Sequence, residues 1–478
     1  MTRRGQRQAG SLSIAFAVLL IIVVGVLGMG VNLALITIRR AELQNVADDA
    51  ALAAAHGLDG SMAGLAKAQA DARTVVEANR YNFGQHFEFS VSALSFATSL
   101  DTPDWKPAGA VNAGNVETMR FVRVDAGQLD ASASSISLPF FTPDRGSDFD
   151  VSALAVAGPT VSQLAPLAIC AIDKDVQYGK RSYPGGVEEL VEFGFRRGVS
   201  YNLLDLNPLG GTPQHFLVNP LDEGDAPLVH DVSDSSKMLP FACAGMMPLM
   251  NLDRLHVSAG FPADLALALN GRFDDTSHGC QRVGSSAPDA NIKQYDASAK
   301  FWMGAAPILP GAKPFVTGGG ARLTIADPAA VPAGVTAADY GYLWAYVRPV
   351  HYDAAAPDRA GAQFSGTASL ALLYPVASGS AVNMPIGNSS STDPARPYPT
   401  ITGSSTYRQS PPGGRGSALG RRVLHVPLLR CPVSGNVADV AGIGRFLMMN
   451  KSNGTALWAE FGGLDPRGSL GYNFAKYQ

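Results

Sequence analysis

The sequence predicts a transmembrane helix that continues into an α+β module, followed by a larger, mainly β body with short helices. Three observations carry this. A charge-free run at Ile14–Ile38 passes, with no proline between, into an alanine-rich charged stretch that reaches Gly57. Beyond it, short segments of alternating polarity recur between glycine, proline, serine and asparagine breaks. The 478 residues hold 51 glycines and 32 prolines but only 16% charged side chains, which suits loops and strands better than a helical bundle. That length is ample for several domains. The formal net charge is −3 and no strongly basic block follows the N-terminus, so nothing points to nucleic acid.

The opening run comes first. As a helix, its 25 residues extend about 37 Å, enough to cross a ~30 Å hydrocarbon core with some tilt. Asn32 is its only strongly polar side chain. A cleaved signal carries an apolar region of about 7–15 residues and then a small-residue cleavage site. Here the run is longer and Arg39–Arg40 follows it directly, so an uncleaved anchor over 14–38 is expected. Arg3, Arg4 and Arg7 precede the run, whereas Arg39 and Arg40 are soon followed by Asp48 and Asp49. That bias keeps residues 1–13 in the cytoplasm and sends the bulk across the membrane, which in a two-membrane bacterium is the periplasm.

The helix is expected to outrun the lipid. Leu43, Ala47, Ala50, Ala54 and Leu58 recur at helical spacing, while Glu42, Asn45, Asp49 and His56 fall elsewhere, and Gly57 and Gly60 are stops. A second helix over Ser61 to Asn79 would turn Leu65, Ala68, Ala72 and Val76 inward. Gly30 and Ala34 form a small-xxx-small pair of the kind that permits helix contacts in lipid. Residues 86–158 read as strands: Phe87, Phe89 and Val91 alternate with Glu88, Ser90 and Ser92, and 117–124, 134–141 and 149–157 follow. Helix and sheet together make a module over 39–158, pilin-like in layout because a long helix props up a head. Residues 159–166 form a linker. The body over 167–478 offers strands at 188–195, 213–219, 321–326, 341–352, 366–374, 421–430 and 442–449, with a loop-rich insertion near 378–417.

These N-terminal residues carry a resemblance. The run GSLSIAFAVLLIIVVGVLGMGVNLALITIRRAELQNVADDAALAAA, ending in Leu43, Gln44, Asn45, Val46, Ala47, Asp48, Asp49 and the alanines to Ala55, resembles the first segment of TadG-like (TadE/TadG) proteins of the Flp, or tight-adherence, pilus-assembly system. The resemblance covers about residues 9–57. It implies a single-pass inner-membrane protein with a periplasmic body, linked to pilus assembly. Two departures matter. Related minor pilins place a glutamate five residues after the cleavage-site glycine; counted from Gly10 that position is Ala15, which argues against processing into a fibre. Many TadG-like proteins also carry a von Willebrand A domain, whose Asp-x-Ser-x-Ser motif holds Mg²⁺.

This chain spells that motif at Asp130, Ser132 and Ser134. The setting is poor, because Asp125 to Leu129 separates it from the strand that should lead into it. Alternating buried strands and helices do not follow, so a plain polar loop is expected and no metal is called for. Cys170, Cys243, Cys280 and Cys431 all lie beyond the anchor, and none forms a CxxC. An even count in an oxidising compartment favours disulfides, with three pairings open. A thiolate metal site built on His278 and Cys280 is the rival. There is no G-x-S-x-G elbow, no phosphate loop at Gly179–Lys180, and no H-E-x-x-H. Gly318–Gly320 reads as a turn and Asp173 with Asp175 as a surface turn. Tyr342, Trp344 and Tyr346 read as sheet-face filling. His215, His230 and His256 converge only if the fold brings them together.

The expected function is therefore a membrane-anchored structural or assembly component of a Flp (Tad) type pilus or associated secretion machinery. It would act by protein–protein contacts in the periplasm. Its partners would be other pilus-assembly proteins and the lipid bilayer, with no nucleic acid, no small-molecule substrate, no cofactor and no catalysis. The alternatives are a von Willebrand A-like metal-dependent adhesion module and an anchored periplasmic enzyme.

Overall fold

Helix α1, Ser11–Gly57, runs unbroken for 47 residues. It contains no proline, and its long aliphatic and alanine positions favour the helix throughout. A computed structural model describes residues 11–58, 61–82, 84–98, 105–140, 148–159, 163–211, 214–224, 227–247, 252–282, 286–295, 307–356, 361–364, 371–374, 408–414, 416–465 and 474–477. The expected cytoplasmic residues 1–10, the linker residues 160–162, the strand residues 366–370 and most of the expected insertion (378–407) lie outside these. The chain divides into two units, Met1–Pro159 with Asn473–Gln478, and Thr160–Tyr472.

In the first unit α1 meets two environments. Ile14, Phe16, Leu19, Leu20, Ile21 and Ile22 are all more than half exposed, whereas Leu43, Val46, Ala47, Ala50, Ala51, Ala54 and Ala55 are buried. Helix α2, Met62–Ala78, packs back on the alanine half. Ser61 caps it by accepting the Gly64 N–H at 2.9 Å, and Leu65, Ala68, Ala72 and Val76 face inward. The helices approach tightly at Gly57, where a Cβ would stand 2.6 Å from the Ala68 Cα.

The other side of α1 covers a five-stranded antiparallel sheet in the order Phe474–Tyr477, Leu154–Pro159, Phe121–Asp125, Leu94–Ala97, Lys106–Pro107. Register aligns Leu94 with Val124 and Ala155, and Phe96 with Val122 and Ala157. These two rows form the buried face of the sheet. Ala155 and Ala157 on the strand Leu154–Pro159 and the alanines along the helix let the two surfaces approach closely. Ser135–Ser137 and Asp148–Asp150 form a separate hairpin.

Three expectations are corrected here. The strand placed at Phe87–Val91 lies instead at Leu94–Ala97, after a 3₁₀ turn over Val91–Ala93. The Glu88 N–H is taken by the Asp130 carboxylate at 3.1 Å rather than by a neighbouring strand. The second domain was expected to run to residue 478, but Phe474–Tyr477 pairs with Leu154–Pro159 in the first unit's sheet. That pairing covers an edge that would otherwise present open N–H and C=O groups.

The third correction concerns 341–352 in the second unit, which is not a strand. Trp344 takes a left-handed backbone (φ 61°), and the N–H groups of Ala345, Tyr346 and Val347 all donate to the Glu460 carboxylate, at 2.6–3.0 Å. A side chain thus replaces the ladder partner. Tyr342, Trp344 and Tyr346 are buried, but in this irregular segment rather than on a sheet face.

The second unit is mainly β with few short helices, among them Ser235–Ala244 and Ala263–Ala268. Its main sheet runs Ser200–Asn202, Trp458–Leu464, Val437–Met448, Arg254–Ala259, His215–Glu223, Leu167–Cys170, Val423–Leu429. The last strand also pairs with Val437–Met448, closing five strands into a ring. Every pairing is antiparallel except Leu167–Cys170 with Val423–Leu429. Phe195, Phe446 and Phe461 pack ring to ring in the core, with centroids 5.2–5.6 Å apart.

Candidate functional site: the exposed helix and its seat

Three polar side chains fasten α1 to the first unit. Arg39, 8% exposed, donates to the Ala133 carbonyl at 3.1 Å, lies 3.4 Å from a Glu42 carboxylate oxygen and stacks its guanidinium 4.7 Å from the centre of the Tyr81 ring. Gln44 bonds Asp48 at 2.8 Å and the Leu154 carbonyl at 3.2 Å. Asn32 pairs with the backbone of Phe140, donating from Nδ2 to its carbonyl and accepting its N–H at Oδ1 at 3.4 Å. The charge pattern gave Arg39 a role in membrane orientation alone. Its partners lie some 40 and 94 positions away in the chain, so sequence offered no signal for this second role.

The combination is specific: one helix, apolar and exposed over its first half, small and buried over its second, with an arginine clamp between. Residues 10–57 match the TadE/G-like Flp pilus-assembly family. The match spans both halves of α1 and stops where the helix stops. No curated protein and no solved structure matches the chain. Gly30 and Ala34 lie exposed within the matched Tad segment, and nothing stands within 4 Å of a Cβ built on Gly30. Among the described residues, α1 is the one helix long and apolar enough to cross a membrane.

The motif at Asp130, Ser132 and Ser134 is a helix cap. Asp130 Oδ1 accepts from the Ser132 N–H (2.9 Å), the Ser132 hydroxyl (2.6 Å) and the Ala133 N–H (3.2 Å), at the start of the short helix Ala131–Ser134. Burial pushes this carboxyl up, but hydrogen bonds from the Ser132 side chain and the Glu88, Ala133 and Ser132 backbone outweigh it and hold the pKa below its ordinary value. The sheet beside it is antiparallel throughout, unlike the alternating parallel strands and helices that a von Willebrand A domain requires.

The cysteines pair as Cys170–Cys431 and Cys243–Cys280. The Cys280 sulfur is therefore bonded and does not serve a metal with His278. His230 and His256 line one cavity of about 220 Å³ with Ser258 and Asn436, while His215 lies outside it and accepts the Phe261 N–H at 2.8 Å. His230 Nδ1 meets Asp222 at 2.6 Å, and Asp222 also accepts the Val229 and His230 N–H groups. A larger cavity of about 530 Å³ is lined by Lys180, Arg181, Arg196 and Asp327. Its cations are already engaged: Lys180 with Glu188, Arg181 with the Ala326 and Asp327 carbonyls, and buried Arg196 with Glu189. Asp173 accepts the Asp175 and Val176 N–H groups in a surface turn. Among the described residues no three His, Cys, Asp or Glu side chains group as metal ligands.

Proposed function

We propose that this protein is a single-pass inner-membrane component of a Flp (Tad) type pilus or its associated secretion machinery. Its N-terminus lies in the cytoplasm, and the part of the first unit beyond the span and the second unit lie in the periplasm, where they act through contacts with other pilus components rather than by catalysis. The observation that carries this reading is the division of the Tad-matching helix into an exposed apolar half and a buried alanine half. Water would not tolerate so much exposed aliphatic surface on a free helix, whereas lipid would. Two disulfides support an oxidising compartment for the second unit. The helix set against an antiparallel sheet supports a pilin-like layout, in which the first unit is a head held at the membrane surface.

Deletion of the gene tests the role. Loss of surface pili and of attachment, both restored by the intact chain but not by one lacking residues 14–33, is the expected result. Unchanged piliation after deletion refutes it. Placement is tested separately by labelling single cysteines at Thr2 and Leu52 in intact cells and spheroplasts: Leu52→Cys should react with a membrane-impermeant reagent and Thr2→Cys should not.

A further inference from the structure

Two arginines of the second unit share one small cavity. Helix Ser235–Ala244 ends at Gly245, whose left-handed backbone (φ 68°) closes the last turn. Guanidiniums meet its last carbonyls. Arg421 donates to the Ala244 carbonyl at 2.6 Å, to that of Cys243 at 2.8 Å and, from Nε, to that of Ala287 at 3.0 Å. Arg272 donates to the Ala242 carbonyl at 2.9 Å. A Cβ built on Gly245 would stand 2.5 Å from Arg272 Nη2 and 3.7 Å from Arg421 Nη1, so both guanidiniums border one point. Capping accounts for only part of this, because a helix C-terminus carries roughly half a negative charge and two whole positive charges meet it here.

Arg272 is 2% exposed, yet among the described residues the Ala242 carbonyl is its side chain's one hydrogen-bond partner, its Nε is buried with none, and no carboxylate pairs with it. Arg422, buried as deeply, gives its guanidinium N–H groups to the carbonyls of Met448, Asn291 and Lys293. Burial, and then the charge of Arg421, push the Arg272 pKa well down against the pull of Asp289. The Asp289 carboxylate is itself taken by the Arg422 and Asn291 N–H groups. Arginine keeps its proton in proteins, so what relieves a buried, under-bonded guanidinium is an anion.

The cavity that Arg272 and Arg421 line measures about 100 Å³. That is several times the ~30 Å³ share of one water and well below the ~300 Å³ at which drug-sized pockets begin, so it suits a few heavy atoms. His425, engaged through Nδ1 with Asp465, forms part of its wall, and Gln163 and Leu419, both exposed, border it on the solvent side. No acidic residue lines it among the described residues.

We propose that this cavity binds a small tetrahedral oxyanion, inorganic phosphate in its doubly charged form, between Arg272 and Arg421. Guanidiniums present paired N–H groups that match phosphate oxygens, and a dianion balances two cations where a carboxylate balances one. Bound phosphate ties the end of Ser235–Ala244 to the turn that leads into Val423–Leu429. The site lies within the second unit and is independent of the membrane reading of α1.

Isothermal titration calorimetry of the full-length chain in detergent tests this, with inorganic phosphate as the probe and acetate as the competitor, at neutral pH and constant ionic strength. The expected result is one phosphate bound per chain, with affinity lowered at least ~10-fold by Arg272→Gln. Arg272 is a core residue, so Gln163→Glu and Leu419→Asp keep the test standing where that variant does not fold. Each changes an exposed side chain, sets a negative charge beside the cavity and should weaken phosphate binding severalfold. A folded native chain that shows no saturable phosphate binding overturns the site. Phosphate binding that none of the variants weakens places the anion elsewhere and overturns it too. Acetate that displaces phosphate at equal concentration overturns the dianion assignment.

Discussion

Removing the two disulfides one at a time should separate their contributions by loop size. Cys170–Cys431 closes a loop with a sequence separation of 261, and Cys243–Cys280 one of 37 nested inside it. In the chain-entropy account, closure restrains the unfolded state by about 5.6 kcal/mol for the separation of 261 and about 3.8 kcal/mol for 37. Nesting barely couples them, since bypassing the inner loop shortens the outer one enough to change its term by only about 0.1 kcal/mol. All four residues are less than a tenth exposed, so the serine replacements meet similar surroundings and the loop term decides the order. The Cys170→Ser/Cys431→Ser pair should therefore cost more than Cys243→Ser/Cys280→Ser by roughly 1.7 kcal/mol, with the quadruple variant close to additive. Urea midpoints of the full-length protein in detergent, read by pulse proteolysis and converted with a common slope, measure this. An inner pair that costs as much as the outer one refutes the loop account. Peptide mapping that finds Cys170 joined to Cys243 refutes the pairing itself.

Further tests concern the first unit and one buried acid. Glu460 accepts three backbone N–H groups, and burial pushes its pKa from 4.5 up to about 8 against their pull. The folded state then binds the extra proton between those values. Its contribution is complete below pH 4.5 and is lost as pH rises through about 8, so Glu460→Gln should flatten the fall in the urea midpoint between pH 4.5 and about 8. Asp130→Ala removes a cap and strands the Glu88 N–H, for a loss of about 2 kcal/mol in thermal or urea unfolding, while added Mg²⁺ should leave the midpoint of the native chain unchanged. Gly57→Ala drives a methyl into the Ala68 backbone and should cost about 1–3 kcal/mol, measured as loss of protease resistance in the first unit; Gly30→Ala, which meets nothing, should not.

Local pattern decided the parts of this molecule that depend on neighbours in the chain. A 25-residue charge-free run, alanines at helical spacing and a serine before Met62 are each read within a few turns, so α1 and α2 and their inward faces were legible. So was the TadE/G-like segment, because its signal lies within one helix. Strands such as Val423–Leu429 and Val437–Met448 were visible for the same reason.

What the tertiary structure decided are the events between distant residues. Four cysteines permit three pairings, and only the parallel register of Leu429 with Cys170 brings the outer pair together. The aromatic-rich segment at 341–352 has strand composition, yet Glu460, more than a hundred residues away, captures its N–H groups and holds it irregular. Arg39 reads as a flank of the membrane span until Tyr81 and Ala133 close around it. Phe474–Tyr477 ends in the first unit because Leu154–Pro159 offers an unpaired edge. In each case a hydrogen-bonding group or sulfur finds its partner through space, and composition alone holds no record of that distance.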